Sequence, residues 1–287
     1  MLYVAQGEVG HATSSQCEVV VSDQATTCHI IALRSCSYLP LVSLAHVDGA
    51  CYEDCIRRMV RYHLDFAAVE HRDEKKTEHS SPGKLVVEVH VVGGFEDADG
   101  TSRNISTFLI SLLDRIAYEE SDSIRLVLKT CAISSMNDNG HGCPIGRGLG
   151  INCISGDVFL AKVAHQMRGP AVELRSARIW SNSGVKQLSL VHEPFYNSIS
   201  IDPFHFEPPS CAGTLLSLSD KMLLKLTSTS PEVEEDDFCD GIRSTLRFMS
   251  GVRTSDIFGR NLTHPVTFGR IGTNDWKLRE VSSAKGQ

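Results

Sequence analysis

The sequence predicts a mixed α/β fold of the α+β kind, with layers of mixed β-sheet flanked by helices. Three observations predict it. Short apolar runs rich in Val and Ile recur along the chain. Stretches with apolar residues at three- and four-residue steps lie among them. The two kinds of segment alternate without the strict rhythm of a βαβ repeat. The 287 residues are 41% hydrophobic and 22% charged, enough for a sizeable core under a well-solvated surface. No internal repeat or low-complexity tract divides them. One domain is expected over residues 1–280, with a polar insertion at about 69–84 and a frayed tail at 281–287.

The elements follow in order. Residues 17–21 (CEVVV) read as a buried strand, and SDQATTC as a polar turn of small side chains. A strand resumes at His29 with HIIAL, and Leu41 to Ala45 forms the next, ending at His46 before an Asp48-Gly49 turn. Residues 51–66 read as a helix, because Cys51, Cys55, Met59, Tyr62, His63 and Phe66 share one face. The polar stretch 69–84, broken by Pro82 and Gly83, reads as a solvated, mobile loop. Residues 85–92 (LVVEVHVV) are a strand capped by Gly93 and Gly94. Residues 105–117 carry a helical stripe of Ile105, Phe108, Leu109, Leu112 and Ile116, and residues 124–133 form a strand. A polar loop over 134–148 holds Asn137, Asp138, His141 and Pro144 in open roles, and strands are expected near 149–154 and 157–161. Beyond these lie a helix at 172–180, a strand at 187–192, an irregular Pro- and aromatic-rich stretch at 201–211, and helices at 215–226 and 238–249.

Bulk charge narrows the partners. The net charge is −7, and no basic stripe with interleaved aromatics is present, so nucleic acid is not an expected partner. A mildly acidic surface weakly favours cationic groups such as a free amino terminus. No apolar stretch approaches the roughly 20 residues needed to cross a bilayer, and the start MLYVAQGEVG does not read as a signal peptide. A cytoplasmic monomer, also nuclear, is expected. The ten cysteines are therefore read as reduced thiols, Cys131 and Cys153 buried in strands among them. A zinc site from Cys51, Cys55, His141 and Cys143 has only one C-x₃-C pair, and the helical spacing already accounts for it. No metal and no cofactor is expected.

The chemistry concentrates at Ser22-Asp23-Gln24-Ala25-Thr26-Thr27-Cys28-His29. A nucleophilic thiol needs an exposed place on a tight connection, with backbone N–H groups near it to hold an oxyanion. A small-residue turn feeding a strand supplies both, Thr27 and Cys28 offering their amides. The bland alternative is an inert cysteine at a strand start. His46 closes the neighbouring strand, where an imidazole can take the thiol proton. The bland alternative there is a surface histidine at a turn. His29 adjoins Cys28, but successive strand residues face opposite ways, so His46 is preferred as base. Ser22 and Asp23 are placed to orient it, or simply to shape the turn.

SDQATTCHIIALR with LAHVDG resembles the core motif of the protein N-terminal asparagine amidohydrolase family. Supporting segments are LVVEVHVVGGFEDADG (85–100), MND with a downstream His and Pro (136–144), GLGINCISGDVF (148–159), RGPAVELRSAR (168–178), STSP (228–231) and IRSTLRFM (242–249). They occur in the family's order over nearly the whole chain, although the family carries a longer region before the equivalent of LYV. The resemblance implies conversion of a protein's N-terminal Asn to Asp with release of ammonia, feeding the arginylation branch of N-degron proteolysis. The Cys, His and hydroxyl pattern is also similar to bacterial chemoreceptor glutamine deamidases and the cytotoxic necrotizing factor catalytic domain. It implies Cys28 as nucleophile, His46 as base, Ser22 as the orienting hydroxyl, and Gly93-Gly94 as a strand end lining the site. Asp23 and Glu88 are the acids considered for the substrate's α-ammonium, and Thr27 is expected beside the oxyanion. A glutamine deamidase, a cysteine peptidase and a non-catalytic binder of N-termini are the competing readings.

Overall fold

The computed structural model describes residues 1–36, 39–49, 51–74, 83–140, 143–181, 188–272 and 275–279. In chain order the first half contains β1 (Leu2–Tyr3), β2 (Glu8–Thr13), β3 (Val19–Ala25), β4 (His29–Cys36), β5 (Pro40–Val47), α1 (Tyr52–Glu74), β6 (Leu85–Gly93), α2 (Thr101–Glu119) and β7 (Ile124–Ile133). The second half contains β8 (Arg147–Asn152), β9 (Val158–Leu160), α3 (Val172–Ala177), β10 (Ser189–Glu193) and β11 (Ser198–Ile201). It continues with α4 (Ala212–Ser217), α5 (Asp220–Thr227), α6 (Phe238–Gly251), α7 (Thr254–Phe258), β12 (Val266–Arg270) and β13 (Trp276–Leu278).

Two sheets stack. One has the order β13-β12-β11-β10-β2-β5-β4-β6-β7, the other β1-β3-β8-β9. In the interior of the larger sheet, third from its β7 edge, β4 is antiparallel to both β5 and β6, with Ile30 opposite His46 on one side and Val92 on the other. β6 and β7 run parallel, so a crossover must join them, and α2 provides it.

The period of two along β4 sorts its side chains between two cores. Ile31 and Leu33 join Ala45, Val47, Val89 and Val91 against Ile56 and Met59 of α1 and Leu109 and Leu112 of α2. Ile30 and Ala32 join Val42, Leu44 and Val92 against Val20, Ala25, Leu149 and Ile151 of the smaller sheet. The layers are therefore helices, large sheet, small sheet. α3 and α6 close one side of the second core through Leu174, Ala177 and Met249.

The mixed α+β class read from the sequence is the class found. Several elements differ. The α1 helix runs on to Glu74, into the stretch expected to be a loop at 69–84. Of the rest of that stretch, only residues 83 and 84 are described. Beyond Phe66 the helix buries Ala67, while Val69 is exposed. The single helix expected over 215–226 is two, α4 and α5, divided at Leu218 and Ser219, where the extended Ser219 backbone starts a new helix. β2 was not foreseen. Its sequence EVGHAT lacks strand alternation, yet all six residues are buried. Burial is tolerable because the polar members are paired: Glu8 meets Arg175 at 2.5 Å, and His11 Nδ1 lies 2.6 Å from Ser43 Oγ. β11, β12 and β13 likewise went unread.

Candidate active site

Cys28 sits one residue before β4, at the edge of the sheet. Its backbone continues the ladder, with the Gly94 amide donating to the Cys28 carbonyl at 2.9 Å. Cys28, a half-buried residue, packs against the core that holds Ile30, Ala32 and Leu44. It therefore lies on the face between the two sheets. His46, directly across from Ile30, lies on the same face and diagonal to Cys28. His29 points the other way: its Nε2 is 2.8 Å from Ser106 Oγ on α2. Of the two rings, His46 is the one on the face that carries Cys28.

Ser22 comes from the other sheet. In β3, Val20 faces the shared core and Ser22 follows it on the same side, placing Ser22 Oγ 2.9 Å from His46 Nδ1. Both side chains are buried. With the proton on Nδ1, Ser22 accepts it and the Nε2 lone pair is free. Nε2 is buried and has no partner, and His46 lines a cleft of about 200 Å³. Burial holds the imidazole neutral, its pKa pushed down to about 3. Burial, and then the charge of Asp48, push the Cys28 thiol up to about 12, while a hydrogen bond from the Thr27 side chain opposes them. The resting pair is thiol and imidazole, both neutral.

Asp23 also borders the cleft, but its carboxylate is occupied. One oxygen accepts from Tyr3 at 2.8 Å and the other from the Val163 amide at 2.7 Å, with Arg168 at 3.6 Å. As the neighbour of Ser22 on a strand, it points away from His46. Of the two residues expected to orient His46, only Ser22 does so. Glu88 lies farther off still. It pairs with Arg34 and Lys129, and Arg34 is six residues along β4 from Cys28, roughly 20 Å at about 3.3 Å per residue. The structure does not bring Glu88 to this site.

Gly93 and Gly94 are brought to Cys28 through the backbone. At Gly93, φ is +104° and a Cβ would stand 2.3 Å from the Cys28 carbonyl oxygen. At Gly94, φ is +66° and a Cβ would stand 2.5 Å from His29 Nε2. Only glycine allows this approach. Ser102 Oγ donates to the Thr27 carbonyl at 3.3 Å and steadies the turn from the α2 side.

Three residues escaped the sequence reading. Gln24 sits at a register shift between Ser22 and Ala25, with φ of 61°, and its buried Nε2 has no partner although it borders the cleft. A bulge of this kind re-aims a side chain, and nothing in the composition of the turn announces it. Asp48, a turn residue by sequence, has a buried Oδ1 without a partner. Asp237, just before α6, lines the cleft with a buried, unpartnered Oδ1. Among the described residues, no group of three or more His, Cys, Asp or Glu is placed to hold a metal ion, and no helix is long and apolar enough to cross a membrane.

A thiol sharing one sheet face with a serine-oriented, unpartnered imidazole is suited to hydrolysis of an amide through a thioester. Comparison with known proteins gives that class a family. Residues 1–278 match the family model described as protein N-terminal asparagine amidohydrolase. The chain is 31% identical over 254 residues to the pig protein of that name, covering 87% of this chain and 74% of the relative. It is 30% identical to the human protein over the same shares. An Arabidopsis thaliana protein of the same name is 24% identical over 96% of this chain and 80% of its own length. The chain belongs to the protein N-terminal asparagine amidohydrolase family.

Proposed function

We propose that this protein converts an N-terminal asparagine of a protein or peptide into aspartate, releasing ammonia, with Cys28 as nucleophile and His46 as base. The observation that carries the reading is the unpartnered, buried Nε2 of His46. It lines a cleft on the sheet face that also carries Cys28, while Ser22 holds Nδ1. Family membership supplies the substrate.

Because the thiol and imidazole both rest neutral, the proton moves as the bond forms. Cys28 passes its proton to His46 Nε2 while sulfur adds to the asparagine side-chain carbonyl carbon, whose π electrons go to oxygen. Backbone amides of Thr27 and Cys28, with the free Nε2 amide of Gln24, are the donors proposed for that oxyanion. The tetrahedral species collapses, the C–N bond breaks, and His46 returns its proton to the leaving nitrogen as ammonia. Water then adds to the thioester, giving a proton to His46. The C–S bond breaks, sulfur recovers a proton, and an aspartate side chain remains. Nothing in this sequence requires a metal or a cofactor.

A cytoplasmic or nuclear site of action and a supply of aspartyl termini to the N-degron route belong to the same reading. The direct test is ammonia release from a peptide beginning with Asn, beside its N-acetylated copy and a peptide beginning with Gln. The Asn peptide should be turned over and Cys28→Ala should abolish it. Release of ammonia by the Cys28→Ala protein would remove the thiol from the mechanism.

A further inference from the structure

Selecting an N-terminal residue requires an acid for its α-ammonium, and the two acids read from the sequence are not free for it. Asp23 is bound on both oxygens and Glu88 lies along the strand from Cys28. Glu8 is held by Arg175 and by the Ala5 amide, and Glu234 accepts from Ser228. Asp48 differs. The β4–β5 register pairs His29 with Val47, so Asp48 is the next residue across from Cys28. Its Oδ2 accepts a long 3.3 Å bond from Gln6, a residue that lines the cleft, and its buried Oδ1 has no partner.

We propose that Asp48 is the anchor for the substrate's α-ammonium and so determines both the demand for a free amino terminus and the preference for asparagine. This rests on the amidohydrolase reading above. The geometry suits it. Directly opposed side chains of an antiparallel pair have Cβ atoms about 4.5–5.5 Å apart. In asparagine only the N–Cα–Cβ–Cγ chain separates the ammonium from the carbonyl carbon. An ammonium on Asp48 therefore presents that carbon to the sulfur across from it. Glutamine adds a methylene and carries its carbonyl past the thiol. A simple pocket distinguishes one methylene weakly, whereas anchoring both ends of so short a chain makes the difference geometric.

The same placement links recognition to reactivity. The negative charge of Asp48 helps to keep the Cys28 thiol protonated. An ammonium bound to Asp48 cancels that charge and makes loss of the thiol proton easier. The thiol is thus quiet in the free enzyme and roused by a substrate that carries a free terminus. An acetylated terminus brings no charge and gains neither effect.

The test compares wild type with Asp48→Asn on an Asn-initiated peptide and its acetylated copy, with folding checked by circular dichroism. The wild-type preference for the free amine should fall at least about tenfold in Asp48→Asn, as expected for loss of a charge-assisted contact. Without peptide, alkylation of Cys28 by iodoacetamide, read by mass spectrometry of the Cys28 fragment, should begin at lower pH in Asp48→Asn than in wild type. A retained preference and an unshifted alkylation profile would overturn the proposal, as would loss of the preference in Asp237→Asn alone. If Asp48→Asn does not fold, Asp48→Glu decides. It should keep the preference while kcat falls, and an unchanged kcat would defeat the anchor. A wild type that releases no ammonia from any Asn peptide would instead defeat the amidohydrolase reading itself.

Discussion

Ser22 and His46 meet across the gap between two sheets, Oγ to Nδ1 at 2.9 Å, although their strands belong to different sheets and share no backbone ladder. The contact makes the stacking of the sheets part of the site. Removing it should therefore separate catalysis from folding. In the Ser22→Ala protein, His46 keeps its place in β5 but loses the partner that fixes its tautomer. Activity should fall, by less than in His46→Ala, where loss of the proposed general base should cost about 10²–10⁴-fold. Ammonia release by both variants, with melting temperatures alongside, checks the order. Equal activity in Ser22→Ala and wild type would make Ser22 a packing residue.

Gly93→Ala tests the backbone that supports Cys28. The new Cβ meets the Cys28 carbonyl oxygen at 2.3 Å, and φ of +104° is itself unfavourable to an L side chain. Backbone strain of this kind costs about 1–3 kcal/mol, and the clash adds to it. A lower urea midpoint and depressed turnover are expected together, because the carbonyl that must move belongs to the proposed nucleophile. A variant as stable and as active as wild type would contradict this packing.

The buried Glu8–Arg175 pair joins β2 to α3 at the wall of the cleft, both side chains 1% exposed. Glu8→Gln leaves a guanidinium without its counter-charge, for which losses of about 3–5 kcal/mol are typical. Chemical denaturation should show it, and a loss below about 1 kcal/mol would mean that Arg175 finds another acceptor.

Acid should unfold this protein from neutral pH downward. Burial lowers the pKa of His11, His46 and His63 to about 3 and that of His29 to about 4. In the unfolded chain these groups take up protons near pH 6.5. The stability they contribute is present above pH 6.5 and is lost as pH falls from there toward 3–4, because the unfolded state binds the protons first. Urea midpoints should fall steadily from pH 7 to pH 5, and less steeply in His63→Gln. Midpoints independent of pH over that range would be inconsistent with buried neutral histidines.

Much of this was legible in the residues themselves. The β4, β6 and α2 segments announce themselves because an amphipathic or fully apolar element writes its period locally. Cys28, His46 and Ser22 were legible because they lie in a string too specific to arise from composition. β2 was not, because its burial depends on partners such as Ser43 and Arg175 that only the assembled sheets supply. Gln24 and Asp48 were missed for a related reason. A bulge and a cross-strand register are relations between segments, and no single segment encodes them.

The sequence alone determined the α+β class, the motif with its thiol and imidazole, and the faces of the main helices and strands, because each is written in residues close together in the chain. The tertiary structure alone decided that Ser22 reaches His46 while Asp23 turns away to Tyr3, and that Glu88 lies beside Arg34 along the strand from Cys28. It also decided that His29 pairs with Val47, which brings Asp48 to the strand end beside Cys28. These depend on how strands pair and sheets stack, where a shift of one residue sends a side chain to the other face.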